Sequence, residues 1–243
     1  MQTALHKQRM RKVTLLFIHG AGGGHATWRL QLLKFKNAQA IALPGHPDGQ
    51  GRATVEEYTD FVRNYVRAKH LQELVLVGHS MGGAIAIEYA LRDPTLQGLV
   101  LVGTGARLRV RMDLLSKILE NYHQACRMLA ELSVRPECEP FLIDRLEKEL
   151  LKVRPDVTYG DFCACDKFDR MHEVNRISCP TLIMCGTKDQ LTPMKYSEYL
   201  RKKMRNSKLI EIPEAGHSPM LETHRDFNRV LEDFEASLTY VHH

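Results

Sequence analysis

Ser80 sits in the pentapeptide Gly78-His79-Ser80-Met81-Gly82, with a small residue two places before it and two after. A serine hydroxyl is a weak nucleophile at neutral pH. It needs a base to take its proton, and that base needs a partner to orient it. The flanking residues indicate how the serine is presented. Glu73-Leu74-Val75-Leu76-Val77 reads as a short strand buried on both faces, and residues 83–91 read as a helix of small and apolar side chains. A G-x-S-x-G between a strand and a helix is a nucleophile elbow, a tight turn that holds the hydroxyl in the open above a helix N-terminus. The five-residue pattern alone recurs by chance in many chains; the strand-before, helix-after setting gives it weight.

The base expected for Ser80 is His217, in Pro213-Glu214-Ala215-Gly216-His217-Ser218-Pro219. It follows a strand-like run and precedes a proline placed to open a helix. The carboxylate expected to hold it is Asp189, which follows the run Leu182-Ile183-Met184-Cys185-Gly186. Thr192-Pro193 then offers a helix N-cap and a first helical residue. Asp161, Asp166 and Asp169 are less well placed, because they fall in a helical stretch, as does His172; His224 lies on the last helix. The order Ser80, Asp189, His217 is the one this kind of elbow uses.

Attack on a carbonyl creates an oxyanion, which requires preorganised N–H donors. The Met81 amide, directly after the nucleophile, supplies one. The second is expected from the loop His19-Gly20-Ala21-Gly22-Gly23-Gly24, with Ala21 as the donor and Gly22 as the fallback. The loop lacks the G-K-[ST] ending and the G-x-G-x-x-G helix start of phosphate-binding loops. Gly22, His46 and Trp28 follow the first two strands and are candidates for lining the substrate entrance, although plain loop packing explains His46 and Trp28 equally well.

Six short apolar runs position these residues: 13–18, 38–43, 73–77, 98–102, 181–185 and 208–212. Most are bounded by Gly or Pro and separated by helical patterns, as at 54–70, where Val55, Tyr58, Phe61, Val62, Tyr65 and Val66 recur at helical spacing. The alternation predicts an α/β domain, a mostly parallel sheet with helices on both faces. Residues 107–176 break it. One amphipathic helix through Leu114, Ile118, Tyr122, Cys126 and Leu129, a second over 141–153 and a third over 159–174 predict a helical lid inserted between strands. The expected division is therefore a core of 1–106 and 177–243 with a lid of 107–176. The lid's apolar content favours an acyl chain or aromatic group as substrate over a sugar, though the same residues also pack the lid onto the core.

The chain of 243 residues carries a net charge of +5 spread over scattered Lys and Arg, not the dense stripe that nucleic acid requires. No apolar run approaches a membrane span. Residues 1–12 are polar and basic with no apolar signal region, so a cytoplasmic location and free thiols at the six cysteines are expected. No metal or organic cofactor is implied, and the expected partner is a small-molecule ester, with no nucleic acid and no membrane. The sequence leaves the oligomeric state open.

Five segments resemble the α/β-hydrolase superfamily: His19-Gly20-Ala21-Gly22-Gly23, Leu43-Pro44-Gly45-His46, Gly78-His79-Ser80-Met81-Gly82-Gly83, Gly186-Thr187-Lys188-Asp189-Gln190-Leu191-Thr192-Pro193, and Gly216-His217-Ser218-Pro219. The Gly-His-Ser-Met-Gly-Gly elbow is similar to those of carboxylesterases and monoacylglycerol lipases. The resemblance implies Ser80 as the acyl-accepting nucleophile, His217 as general acid and base, Asp189 as its orienting partner, and Met81 and Ala21 as oxyanion donors. Thioesterases and carbon–carbon bond hydrolases with the same triad remain open, as does a small-molecule receptor of this fold. The superfamily usually opens with one or two antiparallel strands before the His-Gly strand. Only about twelve polar residues precede Val13, so that sheet edge is expected to be reduced.

Overall fold

The computed structural model describes residues 13–239, of which Thr239 only in its backbone. The expectation about strands before Val13 lies outside the described residues. The strands are β1 (Thr14–Ile18), β2 (Ala38–Ile41), β3 (Leu74–His79), β4 (Gly98–Val102), β5 (Thr181–Gly186) and β6 (Ser207–Ile212). The helices are α1 (Arg29–Lys34), α2 (Val55–Ala68), α3 (Met81–Arg92), α4 (Met112–Glu120), α5 (Tyr122–Leu132), α6 (Pro140–Leu150), α7 (Pro155–Lys167), α8 (Lys195–Lys203), α9 (Pro219–Glu222) and α10 (His224–Thr239).

All five ladders are parallel, and the strand order is β2-β1-β3-β4-β5-β6. Successive side chains on a strand point to opposite faces, and both faces here are covered. Leu16, Ile18, Leu76, Leu99, Leu101 and Ile183 join the cluster that includes Val62 of α2, Ile85 of α3 and Leu200 of α8. Leu15, Phe17, Val75, Val77, Val100 and Met184 join Trp28, Phe227 and Leu231 on the other side. This two-sided burial is why the strands read as continuous apolar runs rather than alternating ones.

Strand order reverses between β1 and β3. In such sheets a crevice opens at that point, beyond the carboxyl ends of the strands. The loop after β1 carries Ala21 and Gly22, and the turn after β3 carries Ser80. The topology therefore brings the expected oxyanion loop and the expected nucleophile to the same place.

Between β4 and β5 the chain leaves the sheet for α4–α7. The sequence reading of one helix through Leu114 and Leu129 is corrected to two. The chain breaks at Asn121, whose side chain accepts a hydrogen bond from Gln124 N and caps α5. Asn competes with the backbone for hydrogen bonds and so starts helices better than it continues them. The reading of a third helix to residue 174 is also corrected, because α7 ends at Lys167. The insertion has its own small core of Leu114, Ile118, Ala125, Cys126, Leu129, Ala130 and Leu150. Tyr122 clasps it, with its hydroxyl within 2.7–3.0 Å of Leu150 O, Val153 O and Thr158 Oγ1. All six cysteines are free thiols. Among the described residues no helix is long and apolar enough to cross a membrane.

Candidate active site

Ser80 joins β3 to α3 with φ 53° and ψ −119°, a conformation costly for any residue with a Cβ. The surroundings enforce it. A Cβ on Gly78 would lie 2.2 Å from Gly82 O, and one on Gly82 would lie 2.3 Å from Ile18 O. The turn closes only because both are glycine. Ser80 N donates to Val102 O at 3.0 Å, and Ser80 O accepts from Thr104 Oγ1 at 2.8 Å. The hydroxyl does not cap α3, and half-buried Ser80 lines a cavity of about 360 Å³. Met81 opens α3, so its amide is one of the N–H groups that have no partner within the helix.

Asp189 and His217 meet as expected. His217 Nδ1 lies 2.9 Å from Asp189 Oδ2 and 3.1 Å from Oδ1, with both residues buried. Asp189 also accepts from Leu191 N at 2.9 Å, Thr192 N at 2.8 Å and Thr192 Oγ1 at 2.8 Å. Burial works against its charge, but the His217 ring and the Thr192 hydrogen bonds outweigh burial and hold the carboxyl below its ordinary value. An ionised Asp189 fixes the proton on Nδ1 of His217 and leaves Nε2 as the basic nitrogen. Thr192 departs from the sequence reading. It spends its side chain on Asp189, and α8 starts three residues later, at Lys195.

The candidate entrance residues are placed elsewhere. Trp28 is buried in the core, its ring 4.7 Å from Phe17 and stacked on it, and it does not line the cavity. His46 is fully buried with its Nε2 2.7 Å from Asp161 Oδ2, and it too stands off the cavity. The Gly22 amide, the fallback oxyanion donor, is taken: it donates to Asp161 Oδ2 at 2.8 Å. A Cβ on Gly22 would meet Thr158 and Leu150 of the insertion. Each of the three follows a strand, as read, but each side chain or amide turns inward, to packing or to a carboxylate. Ala21 keeps its place as the candidate second donor. It is a central residue of the turn closed by Gly23 N and Gly20 O at 3.2 Å.

Four residues around the site escaped the sequence reading. His79 donates from Nε2 to His217 O at 2.9 Å and so props the histidine loop from the elbow. Burial, then the neighbouring His217, pushes its pKa down to about 3, so the ring is neutral. His19 is held similarly, lowered to about 3 by burial and then by His46; its Nδ1 donates to Gly20 O and its Nε2 accepts from Leu43 N. Glu222 accepts from Gly216 N at 2.9 Å and Arg135 N at 2.8 Å, tying the histidine loop to the insertion, and burial pushes its carboxyl up. Asp161, set aside because it lies on a helix, is fully buried with three donors around it. For His79 the signal is its place inside the elbow itself; His19 and Glu222 each have one near partner, Gly20 and Gly216, but the bonds that tie them across the fold, to Leu43 and Arg135, leave no local signal, and neither do the partners of Asp161.

The cavity wall is mostly apolar, with Leu108, Val110, Leu114, Met128, Leu132, Phe162 and Leu191, while Arg109, Arg111 and Lys195 also border it. The apolar residues of the insertion divide three ways: some, such as Leu114 and Phe162, face the cavity. Leu115, Ile118 and Phe168 are buried, and Leu119 and Phe141 are exposed. Among the described residues there is no group of three His, Cys, Asp or Glu side chains arranged to hold a metal.

The chain is 24% identical, over 95% of its length and 98% of the relative, to the pimeloyl-[acyl-carrier protein] methyl ester esterase of Neisseria meningitidis serogroup C. It is 25% identical to the strigolactone esterase D14 of Arabidopsis thaliana, over 85% of this chain and 86% of that one. Among solved structures a thermophilic esterase superposes with a TM-score of 0.83 at 34% identity, over 95% of this chain and 91% of that one. An esterase from Exiguobacterium antarcticum, at 19% identity, superposes with a TM-score of 0.86 over 92% of each chain and so speaks to the fold alone. The alpha/beta hydrolase family model matches residues 15–230, and the chain belongs to that family.

Proposed function

We propose that this protein hydrolyses carboxylic esters through an acyl-enzyme, with Ser80 as nucleophile, His217 as general base and acid, and Asp189 as its orienting partner. One observation carries the reading. A buried Asp189–His217 hydrogen bond of 2.9 Å is tied, through the His79 side chain that donates to His217 O, to the elbow whose strained serine opens onto an apolar cavity. The esterase names of the relatives support it.

In the first half-reaction His217 Nε2 takes the Ser80 proton as Oγ adds to the ester carbonyl. The amides of Met81 and Ala21 hold the resulting oxyanion. The imidazolium then protonates the alkoxide, the alcohol leaves, and the acyl group stays on Ser80. Water repeats the sequence, activated by the same nitrogen, and releases the acid. Asp189 keeps the ring in the tautomer both halves require. Residues 107–176 act as the lid over this site. The cavity of about 360 Å³ and its leucines suit small to medium acyl groups, and the methyl ester relatives suit a small alcohol.

The test is hydrolysis of p-nitrophenyl esters from acetate to decanoate, with thioester and vinylogous diketone controls. Turnover falling beyond medium chains, and a mass shift equal to the acyl group on wild-type protein, are the expected results. Ser80→Ala lowers kcat by about 10⁴-fold or more and abolishes the mass shift. Preferred cleavage of the thioester or the diketone would reassign the bond; full activity in Ser80→Ala would end the reading.

A further inference from the structure

Asp161 projects from the middle of α7 into a site with no solvent exposure. Three donors converge on its carboxylate. Gly22 N lies 2.8 Å and His46 Nε2 2.7 Å from Oδ2, and the Tyr58 hydroxyl lies 2.6 Å from Oδ1. The His46 ring is engaged at both ends, because its Nδ1 lies 3.0 Å from the Pro44 carbonyl, which can only accept. Nδ1 therefore carries a proton, and the short Nε2–Oδ2 contact needs a second one between ring and carboxylate. A buried carboxylate persists only when paired and hydrogen-bonded in this way.

The bond to Gly22 has the consequence for chemistry. Residues 20–23 form a turn closed by Gly23 N and Gly20 O, and Gly22, at its third position, has φ +62°. The amide of that third residue belongs to the turn's central peptide, the plane that flips between the common turn types. Asp161 holds this plane from one side. The backbone of Ala21 is thereby set from its carboxyl end, while Gly20 packs against Ser80 on the other side: a Cβ on Gly20 would lie 3.0 Å from Ser80 Cβ. A donor aimed at a developing oxyanion is effective only if it is fixed before reaction.

We infer that Asp161 is a positioning residue of the helical insertion that locks the oxyanion loop, through Gly22, so that the Ala21 amide faces the reacting carbonyl only while α7 is docked. The inference rests on the ester-hydrolase reading above. It makes seating of the insertion and readiness of the oxyanion hole one event.

The experiment measures kcat and KM on p-nitrophenyl butyrate, the dissociation constant of phenylboronic acid (whose tetrahedral adduct on serine places a charged oxygen in the same hole) and the thermal midpoint. Asp161→Ala lowers kcat about 100-fold with KM within about twofold, and boronate binding weakens in parallel. Asp161→Asn, which keeps one acceptor, loses about tenfold and decides alone if the alanine variant does not fold. Tyr58→Phe removes a donor to the same carboxylate but leaves the Gly22 bond, so kcat holds within about twofold while the midpoint falls. Wild-type kcat in folded Asp161→Asn, a loss carried by KM, or a Tyr58→Phe loss equal to that of Asp161→Asn overturns the inference. Ser80→Ala, run alongside, separates the two proposals: if it stays active the hydrolase reading fails, and if it is inactive while the Asp161 variants are normal only this inference fails.

Discussion

Strands β1, β3 and β4 are buried along nearly their whole length, whereas the insertion α4–α7 leaves Met112, Leu119 and Phe141 in solvent. The sheet is held by parallel ladders and two apolar clusters, one on each face. The insertion is held by one small cluster, by exposed ion pairs such as those of Arg127 with Glu131, Asp144 and Glu147, and by a few buried polar ties. Apolar burial of this extent sets a fixed frame, and surface ion pairs add little to it. The difference assigns the labour. Ser80, Asp189 and His217 all stand at the carboxyl ends of strands, on the rigid part, while the softer part forms much of the cavity wall. The ties at Asp161 and Glu222 join the insertion to the loops that carry Gly22 and His217.

The largest expected effect lies on the rigid side. In Asp189→Asn the amide nitrogen turns toward Nδ1 and favours the wrong imidazole tautomer, so kcat falls about 10³- to 10⁴-fold with the thermal midpoint little changed. Full activity in that variant removes Asp189 from the mechanism. Gly82→Ala comes next. Its methyl meets the Ile18 carbonyl at 2.3 Å, so a backbone must move, and the fold loses about 3 kcal/mol or more in denaturant titration. Normal stability there would mean that the elbow is looser than its glycines imply.

Acid sharpens the contrast. His19 and His79 are neutral and buried, with pKa values near 3 against an ordinary 6.5. Between those limits the unfolded chain binds two protons that the folded chain refuses. Stability therefore falls as pH drops, by about 3 kcal/mol per unit at most from this pair. Melting curves between pH 6 and 5 measure it, and His79→Gln removes about half of the slope. A flat profile would show that the rings take protons in place. On the insertion, Leu129→Ala costs about 2–4 kcal/mol, whereas exposed Arg127→Ala leaves the midpoint unchanged within error. A larger loss from Arg127→Ala than from Leu129→Ala would reverse the account of what holds α4–α7 together.

The frame was legible in the sequence because doubly buried strands leave continuous apolar runs, and the elbow because its glycines are forced by contact. Asp189 and His217 were legible because each follows such a run. The insertion was harder. Asn121 looks like any polar helix residue until its side chain is seen to cap α5. Trp28 and His46 follow strands, as substrate-contacting residues often do, yet one packs on Phe17 and the other on Asp161. Asp161 reads as one more polar residue of a helical stretch, because its partners Gly22, His46 and Tyr58 lie more than a hundred residues away in sequence. A carboxylate's neighbours across a fold leave no trace in local pattern.

The last strand of the sheet has a consequence of its own. Among the described residues β6 pairs on one side only, with β5, and it carries exposed Lys208 and Glu211. Charges on a border strand discourage a second molecule from docking there by main-chain hydrogen bonds. Along this border the protein should therefore resist strand-to-strand stacking with a second molecule, and neutralising those two positions should weaken that resistance.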